Sequence, residues 1–556
     1  MGQSVLKVCG GDFELGNSIV DASSQSERPE ISAAQASRAL LAEIDGLPGR
    51  SWLRHAAACP QHSAKSNTNP FHLEEELAYG VHGWVWRHGH ECTCERYLQD
   101  FGRKFLPANG GCVYIDLDHL ELCVPEVTNA FDHVAAWHAM LRIAQAALAA
   151  ANRRQSHDRR IVVLVNNSDG CSHSWGGHLS FAISRACFDD IFELRPQYLL
   201  TIASHLASAI VYSGAGKVGS ENGRAPIDYQ ISQRADFFET LCGVQTTYRR
   251  PLVNARNESL AASKTGLARF HCISFDNTLC HVSSLLKVGA TQLVLAMLEA
   301  GEIATDTLLD NPLAATWAFS RDPELRATTR TVAGEPITAI ELQRRFASLA
   351  ERFVARGHAD GIVPRAREIV VLWRDVLTRL EHAPDSLTGS IDWLLKRSLL
   401  QRAMARRGFS WRSFEAKHLD HAYSSLDPDE GLYWAMEQAG HVERVVDASA
   451  VDRFIHEPPS DTRAYARAHF LRRAGAAAIE QVDWDAIQFR LDDDRHWRTQ
   501  SVSMPSPVSL TQAQVAECFA THQSLATLAR ALAATDVAAL TPTSDVAAVP
   551  VSTERS

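Results

Sequence analysis

CGGDFELGN at residues 9–17 and YIDLDHLEL at residues 114–122 are the two stretches that decide the fold, and each predicts a short acidic β-strand. Alternate residues of a strand share a face, so each stretch presents two carboxylates together. These pairs are Asp12 with Glu14 and Asp116 with Asp118, with Glu121 just beyond. Such clusters in an apolar background are costly unless a cation compensates them. Oxygen ligands without a Cys or His core suit a hard cation such as Mg²⁺, held together with nucleotide phosphate. The alternative is a pair of edge strands with solvated acidic faces.

Composition limits the class of protein. The chain has 556 residues, 46% hydrophobic and 22% charged, which is ordinary for a soluble globular protein of one large domain with an appendage, or of several domains. Its net charge of −10 gives no general attraction to nucleic acid or to an anionic membrane. The N-terminus lacks the apolar core of a signal peptide, and no apolar run offers a membrane span. With twelve scattered cysteines, we expect a reducing, cytoplasmic setting with free thiols.

Strands and helices mix up to about residue 300 without a regular βαβ rhythm, and the chain is mostly helical beyond about 302. In the helical part, the segment 341–357 ends on Gly357, which suits the position after a helix. The other predicted elements are strands at 4–15, 111–124 and 161–167 and helices at 31–44 and 130–154.

The predicted organisation has three parts. Residues 1–430 form a catalytic domain with a mobile insert at about 48–107, which is rich in His, Asn, Ser and Pro at its start. Residues 431–495 form a small C-terminal domain. Residues 496–556 form a largely disordered Pro/Ser/Thr/Ala-rich tail.

One motif is discounted. GAGKVG at 214–219 matches the dinucleotide fingerprint GxGxxG. The following SENGRAPIDYQ contains Gly223 and Pro226 and cannot be the helix that a dinucleotide-binding unit requires.

Several long stretches, together with the two acidic strands, resemble the family of the Pup ligase and the deamidase of Pup. They are VNNSDGCSHSWGGH at 165–178, SQRADFFETLCGVQTTYRRPLVNARNES at 232–259, ARFHCISFDN at 268–277, LLKVGATQLVLAMLEAG at 285–301 and PPSDTRAYARAHFLRR at 458–473. The resemblance runs in order from about residue 8 to about 490. It implies an α+β fold with a glutamine-synthetase-like catalytic domain, in which helices cover a curved antiparallel sheet, and a small C-terminal domain.

The resemblance also implies roles for site residues. ATP-dependent chemistry at a carboxylate needs metals on the phosphates, cationic groups on the transferred phosphoryl group and a positioned base or nucleophile. Asp116 stands at the family's catalytic aspartate. The Mg²⁺ ligands are Asp12, Glu14 and Glu121, and the ATP-binding residues are Arg234, Arg256, His271, His178 and Tyr114. By themselves, a lone Arg or His is more often a surface ion pair or a hydrogen-bonded structural residue.

The chain departs from the family pattern at several positions. Asp12 replaces the usual Glu and is one methylene shorter. Leu179 and Ser180 stand where the family has Glu and Asn, so one carboxylate is lost. Leu120 replaces a proline, and His281 replaces a glutamate. None of these changes removes the central set, so we favour an active enzyme over a pseudoenzyme.

A second metal site is a weaker alternative within the insert. Cys59, His62, Cys92 and Cys94 offer four ligands for tetrahedral Zn²⁺. The first pair has ordinary ligand spacing, whereas Cys-x-Cys is tighter than usual. Reduced, unliganded cysteines are the simpler reading.

The function that we expect is an ATP- and Mg²⁺-dependent deamidase or depupylase, whose partners are Pup or a Pup-like modifier and its protein conjugates. About a hundred residues separate the two acidic strands, which resembles the deamidase branch, as does FFETLCGVQTT at 237–247. One alternative is a ligase that forms the isopeptide bond through an acyl phosphate, or a small-molecule carboxylate–amine ligase. Another is an inactive nucleotide-binding regulator, for which Leu179 is the best argument.

Overall fold

A computed structural model describes residues 4–21, 29–48, 101–261, 265–491 and 498–540. Most of the insert predicted at 48–107 lies outside these residues, as do its four candidate zinc ligands, Cys59, His62, Cys92 and Cys94.

A ten-stranded sheet organises the main part of the described chain. The strands are β1 (Cys9–Asp21), β2 (Leu47–Pro48), β3 (Phe101–Phe105), β4 (Cys112–Asp116), β5 (His119–Cys123), β6 (Arg159–Leu164), β7 (Gly177–Ser184), β8 (Lys217–Val218), β9 (Tyr229–Gln230), β10 (Thr240–Gly243), β11 (Pro251–Asn254), β12 (Leu267–Cys272), β13 (Thr328–Arg330), β14 (Pro336–Thr338), β15 (Ile479–Val482), β16 (Ala486–Leu491) and β17 (Arg498–Ser503). The order in the large sheet is β10-β11-β12-β7-β1-β5-β4-β3-β2, with β6 also on β1. Only β10 and β11 pair in parallel in this sheet, among the described strands.

Strand β1 is the centre of the sheet because three strands share it. Its first half pairs with β7, its middle with β5 and its last six residues with β6. Phe13 and Leu15 are fully buried in the main core, so the alternation sends Asp12 and Glu14 to the opposite face. The strand predicted at 4–15 therefore begins later and extends further, since pairing with β6 continues it to Asp21.

The single strand predicted at 111–124 is wrong, because this segment is a hairpin. β4 and β5 are joined by Leu117 and Asp118, whose φ angles of 43° and 75° are left-handed. Asp116 therefore does not share a strand face with Asp118. The reason lies in the apolar residues: one continuous strand would send Ile115 and Leu120 to opposite faces, whereas the reversal buries both in the same core.

Helices cover the apolar face of the sheet and form the region beyond residue 302. They are α1 (Pro29–Ala42), α2 (Ala130–Arg153), α3 (Arg185–Asp189), α4 (Pro196–Ser213), α5 (His281–Glu299), α6 (Pro312–Ser320), α7 (Ala339–Ala355), α8 (Ala366–His382), α9 (Asp392–Arg407), α10 (Phe414–Tyr423), α11 (Leu432–Gln438), α12 (Ala448–His456), α13 (Ala464–Ala478), α14 (Gln512–Thr521) and α15 (Leu525–Leu540). The helices predicted at 31–44 and 130–154 are confirmed as α1 and α2 within two residues at each end. Gly357 follows α7 with φ 77°, as predicted.

Helices α2 and α5 are long and apolar enough to cross a membrane, but 72% and 100% of their apolar windows are buried within the protein, as in core helices. Residues 214–219 lead into the β8–β9 pair and not into a helix, so the discounting of the dinucleotide motif is confirmed.

The C-terminal part differs from its predicted bounds of 431–495. Helices α11 and α12 bury Tyr433, Trp434 and Phe454 in the main core and belong to the larger unit. A second core begins with α13, surrounds the three-stranded sheet β15–β17 and extends into α14 and α15. Part of the tail predicted to be disordered is therefore helical: Val515 and Leu528 are fully buried, and these apolar side chains hold the two helices on the second core.

Candidate active site

A cavity of about 430 Å³ opens on the polar face of the sheet, over β1, β4, β5, β7 and β12. The second core covers the same face farther along, where Phe105, Cys112 and Cys123 contribute to it. All nine residues that the sequence predicted for the site line this cavity: Asp12, Glu14, Tyr114, Asp116, Glu121, His178, Arg234, Arg256 and His271.

Three carboxylates converge at the hairpin side of the cavity. Glu14 lies opposite Glu121 in the β1–β5 register, and one oxygen each of Glu14, Asp116 and Glu121 falls within 4.8 Å of the others. Burial, together with the charges of Asp12, Asp116 and Glu14, raises the pKa of Glu121 well above its usual range. The Tyr114 hydroxyl donates to Glu121 Oε1 at 2.5 Å. This donor set suits a hard divalent cation, whose charge would offset the repulsion.

Asp12 is the exception among the predicted metal ligands. Its Oδ1 lies 2.8 Å from His178 Nδ1, and it is not part of the three-carboxylate group. Burial alone would raise the pKa of Asp12, but His178 and the nearby Arg269 and Arg103 lower it. Gly176 makes room for this imidazole, since a Cβ there would meet the His178 ring at 2.3 Å. The structure therefore assigns Asp12 a histidine partner.

His271 faces His178 across the β7–β12 pair, with ring centroids 5.1 Å apart and nearly perpendicular planes. Neither ring nitrogen of the buried His271 has a hydrogen-bond partner among the described residues. Burial lowers its pKa well below the usual range, and its neighbours Arg269, His178 and Arg256 lower it further. A neutral imidazole that can still accept and donate one hydrogen bond is thus available to a ligand.

Arg234 is a buried cation without a carboxylate partner within 4 Å in the described part of the chain. Its guanidinium donates to the Trp175 carbonyl. Burial and then Arg250 lower the pKa of Arg234 to about 10, against the opposing charges of Glu14 and Asp276. Because an unpaired buried charge is costly, this arrangement points to an anionic ligand such as phosphate.

Sequence reasoning missed other cations of the cavity. Arg250 donates to the carbonyls of Ser174 and Thr246 at 2.6 and 2.7 Å, and burial lowers its pKa. Arg256, which was predicted, lies 3.3 Å from Glu258 through its Nε. Arg269 also lines the cavity. It stands two residues before His271 on β12, and this strand spacing could have identified it.

The tip of the β4–β5 hairpin places Asp116 at the cavity. The Asp118 carbonyl accepts a hydrogen bond from Ser37 Oγ on α1 at 2.7 Å. His119 stacks on Trp175 at 4.6 Å between ring centroids, and its Nδ1 lies 2.9 Å from the Leu15 carbonyl. Contacts from both sides therefore hold a turn that is unfavourable for non-glycine residues.

Two departures from the family pattern lie away from the cavity. Leu179 faces the apolar core from β7, between the cavity-lining His178 and Ser180. His281 packs on His138 in the interior, with ring centroids 4.2 Å apart. The replacement at Leu179 therefore leaves the cavity's own carboxylates in place, which weakens the argument for an inactive regulator.

The family model and the similar proteins of known function point to the same family. The model of the family described as Pup-ligase protein matches residues 7–488. A depupylase of Acidothermus cellulolyticus is 35% identical over 386 residues, covering 69% of this chain and 74% of the relative. A Pup–protein ligase of Acidimicrobium ferrooxidans is 32% identical over 391 residues, covering 69% of this chain and 83% of the relative.

Solved structures agree on the fold. The complex between prokaryotic ubiquitin-like protein Pup and its ligase PafA has a TM-score of 0.70 and 21% identity, covering 97% of this chain and 96% of that one. PafA in complex with ADP has a TM-score of 0.66 and 23% identity, covering 85% and 96%. The predicted α+β, glutamine-synthetase-like fold is confirmed.

Proposed function

This chain belongs to the Pup-ligase family, and on that premise we propose that it is an ATP- and Mg²⁺-dependent amidohydrolase acting on the C-terminus of Pup or a Pup-like modifier. The bond hydrolysed is the C-terminal glutamine amide in deamidation, or the isopeptide bond to lysine in depupylation. One observation carries the proposal: a three-carboxylate cluster lines the same cavity as the buried Arg234, which has no carboxylate within 4 Å among the described residues.

The donor chemistry fits Mg²⁺ and a nucleotide. Glu14 and Glu121 would hold the cation, and Arg234 with Arg250 would hold phosphate oxygens. When bound, the metal would supply positive charge that stabilises negative charge developing at the substrate carbonyl. The further predicted nucleotide contacts are Arg256, His178, His271 and Tyr114, and Asp12 orients His178. Zinc is not part of the proposal.

Asp116 is the residue that acts on the scissile carbonyl. Its carboxylate ends β4 at the cavity wall and is half-buried. From there it can attack the carbonyl carbon, so that the C–N bond breaks, the amine leaves with a proton and water hydrolyses the resulting anhydride. Alternatively, it can take a proton from a water that attacks the carbonyl and displaces the amine directly. Either role needs a fixed orientation. The contacts on the hairpin tip provide that orientation.

Hydrolysis is favoured over ligation by the relatives. The depupylase relative is 35% identical, against 32% for the ligase relative. The long connection between the acidic strands also resembles the deamidase branch. A ligase is the second candidate, because the same family contains both activities. We also propose a cytoplasmic location, with which the free thiols of the nine described cysteines agree.

The test incubates the purified protein with modifier, a lysine-bearing substrate, ATP and Mg²⁺. We expect cleavage of preformed conjugates or deamidation of a C-terminal glutamine, with nucleotide required but not consumed in each turnover. Asp116→Asn should abolish this activity while nucleotide affinity remains within about threefold of wild type, a change below ~1 kcal/mol. Conjugate formation with stoichiometric ADP release would instead identify a ligase.

A further inference from the structure

We propose that Asp276 and Asn277 are positioning residues that hold the two halves of the site from one buried point. Asp276 fixes the segment that carries Arg234, and Asn277 fixes the strand that carries Glu14. The inference rests on the proposed function, since it requires the cavity to bind metal and nucleotide. Neither residue lines the cavity, and they are only 2% and 1% exposed, so neither can touch a substrate directly.

Asp276 organises the arginine segment through four hydrogen bonds. Its Oδ1 accepts from Ser232 Oγ at 3.0 Å and from the Arg234 backbone N–H at 3.1 Å. Its Oδ2 accepts from the backbone N–H groups of Ala215 and Gln233, both at 2.8 Å. A buried carboxylate that receives this many donors is well satisfied, and it fixes three consecutive residues of the segment.

The backbone of Arg234 needs such a support. Its guanidinium has no carboxylate partner within 4 Å among the described residues, and it donates a hydrogen bond to the Trp175 carbonyl. Ser232 Oγ also accepts from the backbone N–H of Arg234 and of Ala235, each at 3.2 Å. Asp276 thus reaches the phosphate-binding cation through the main chain, and it opposes the costs of burial with a nearby negative charge.

Asn277 supports the metal-binding half. Its Nδ2 donates to the Glu14 carbonyl at 3.1 Å and to the Asn166 carbonyl at 3.2 Å. Its backbone N–H donates to Asn167 Oδ1 at 2.6 Å. Gly177 allows the close approach, because a Cβ there would lie 2.2 Å from Asn277 Oδ1. The amide therefore clamps β1 at the residue whose side chain enters the carboxylate cluster.

The two halves should respond separately to substitution. Asp276→Asn keeps the volume but turns one oxygen into an NH₂ group that faces two donors, so the segment of Arg234 should shift. We expect the affinity for ATP relative to AMP to fall about tenfold, since AMP lacks the phosphates that the arginine would hold. The affinity for Mn²⁺ alone should stay within about twofold of wild type.

Asn277→Ala should have the opposite effect. It leaves the Glu14 carbonyl without its donor and frees β1 at the metal site. We expect Mn²⁺ affinity, measured by calorimetry with the metal alone, to fall about tenfold. The ratio of ATP to AMP affinity, measured without metal, should change by less than about twofold.

A matched control separates positioning from general destabilisation. Asp392 is also a fully buried carboxylate that accepts from two backbone N–H groups, those of Leu279 and Cys280, but it supports the start of α5. Asp392→Asn should lower the melting temperature but change neither the ATP-to-AMP affinity ratio nor the Mn²⁺ affinity. If Asp276→Asn does not fold, Ser232→Ala tests the same support with a smaller perturbation, and it should lower the ATP-to-AMP ratio.

The outcomes also distinguish this inference from the proposed function. Suppose that the wild type binds ATP and Mn²⁺. If each variant, Asp276→Asn and Asn277→Ala, then lowers the ATP and Mn²⁺ affinities equally, or lowers neither, the positioning roles alone are overturned. A wild type that binds neither ATP nor Mn²⁺ overturns the proposed function and the positioning roles with it. The inference is established if Asp276→Asn lowers only the ATP-to-AMP affinity ratio and Asn277→Ala lowers only the Mn²⁺ affinity.

Discussion

Glu14 and Asp12 lie two residues apart on one strand face but have different partners, and this contrast tests the metal site at the scale of single residues. Glu14→Gln removes one carboxylate from the cluster with Glu121 and keeps the side-chain volume. We expect Mn²⁺ affinity to fall tenfold or more, about 1.4 kcal/mol, and turnover to be lost. The metal-free protein should be no less stable, because a like charge beside Glu121 is removed.

Asp12→Asn is the control for that experiment. Since Asp12 is paired with His178, we expect the Asp12→Asn variant to retain more of the wild-type Mn²⁺ affinity than the Glu14→Gln variant does. Thermal shift with and without metal checks both variants. An unchanged metal-induced shift in Glu14→Gln would remove this residue from the metal site.

At this scale the sequence predicted nine residues that the fold places around one cavity. The nine predicted residues line one cavity because alternation along strands and the family motifs both constrain them. Arg250 could not be chosen, since it follows Arg249 in YRRPL and only the folded chain shows which one enters the cavity. The partner of Asp12 could not be predicted either, because it depends on the register between β1 and β7.

At the scale of elements, the β4–β5 hairpin carries its strain next to Asp116. Leu117 adopts φ 43°, which costs a non-glycine residue roughly 1 kcal/mol or more. Leu117→Gly relieves the conformation, whereas Leu117→Ala keeps it and removes the same apolar side-chain contacts. We expect the glycine variant to be more stable than the alanine variant by ~0.5–1 kcal/mol, despite its greater unfolded-state entropy. Chemical denaturation of both proteins measures the difference, and a less stable glycine variant would show that the turn is not strained.

The same hairpin shows why element prediction was incomplete. The Asp-Leu-Asp-His turn lacks the Asn-Gly or Asp-Gly pair that normally indicates a two-residue hairpin. External contacts, such as Ser37 to the Asp118 carbonyl, compensate for that unfavourable turn. The only indication of the reversal in the sequence was the spacing of Ile115 and Leu120, which would lie on opposite faces of one continuous strand.

At the scale of the whole molecule, Glu126 joins the larger unit to the C-terminal core. Its carboxylate pairs with Arg463, with Nε at 2.8 Å, and with Arg467, which reaches both of its oxygens. Burial opposes this charge, but the two arginines dominate and lower the pKa of Glu126 to about 2. Because the folded pKa lies below the unfolded value of about 4.3, this stabilisation is present above the unfolded pKa and is lost as pH falls through the folded pKa.

The loss of stability caused by Glu126→Gln should therefore depend on pH. We expect it to lower the free energy of unfolding by about 3 kcal/mol at pH 7, since two buried arginines lose their counter-charge. The difference from wild type should shrink as pH falls from about 5 toward 2, where the wild-type carboxyl also becomes neutral. Urea titrations at several pH values test this. A difference that is constant with pH would mean that Glu126 stabilises by packing and not by charge.

The domain boundary was the least predictable feature at this scale. The tail's alanine-rich composition resembles that of a disordered segment, yet Leu528 and Leu532 are fully buried in the second core. They share this core with Phe105 and Cys112, which stand more than four hundred residues earlier in the chain. A local pattern cannot reveal partners at that distance.

The central position of β1 has a consequence for synthesis on the ribosome. Its first half pairs with β7, about 170 residues later, and at typical translation speeds of 5–20 residues per second it waits roughly 10–30 s for that partner. During this interval an acidic strand that is apolar on its other face emerges with unpaired backbone groups. We therefore expect the nascent chain to depend on holding chaperones until β7 emerges, and slower translation upstream of β7 to lower the yield of folded protein.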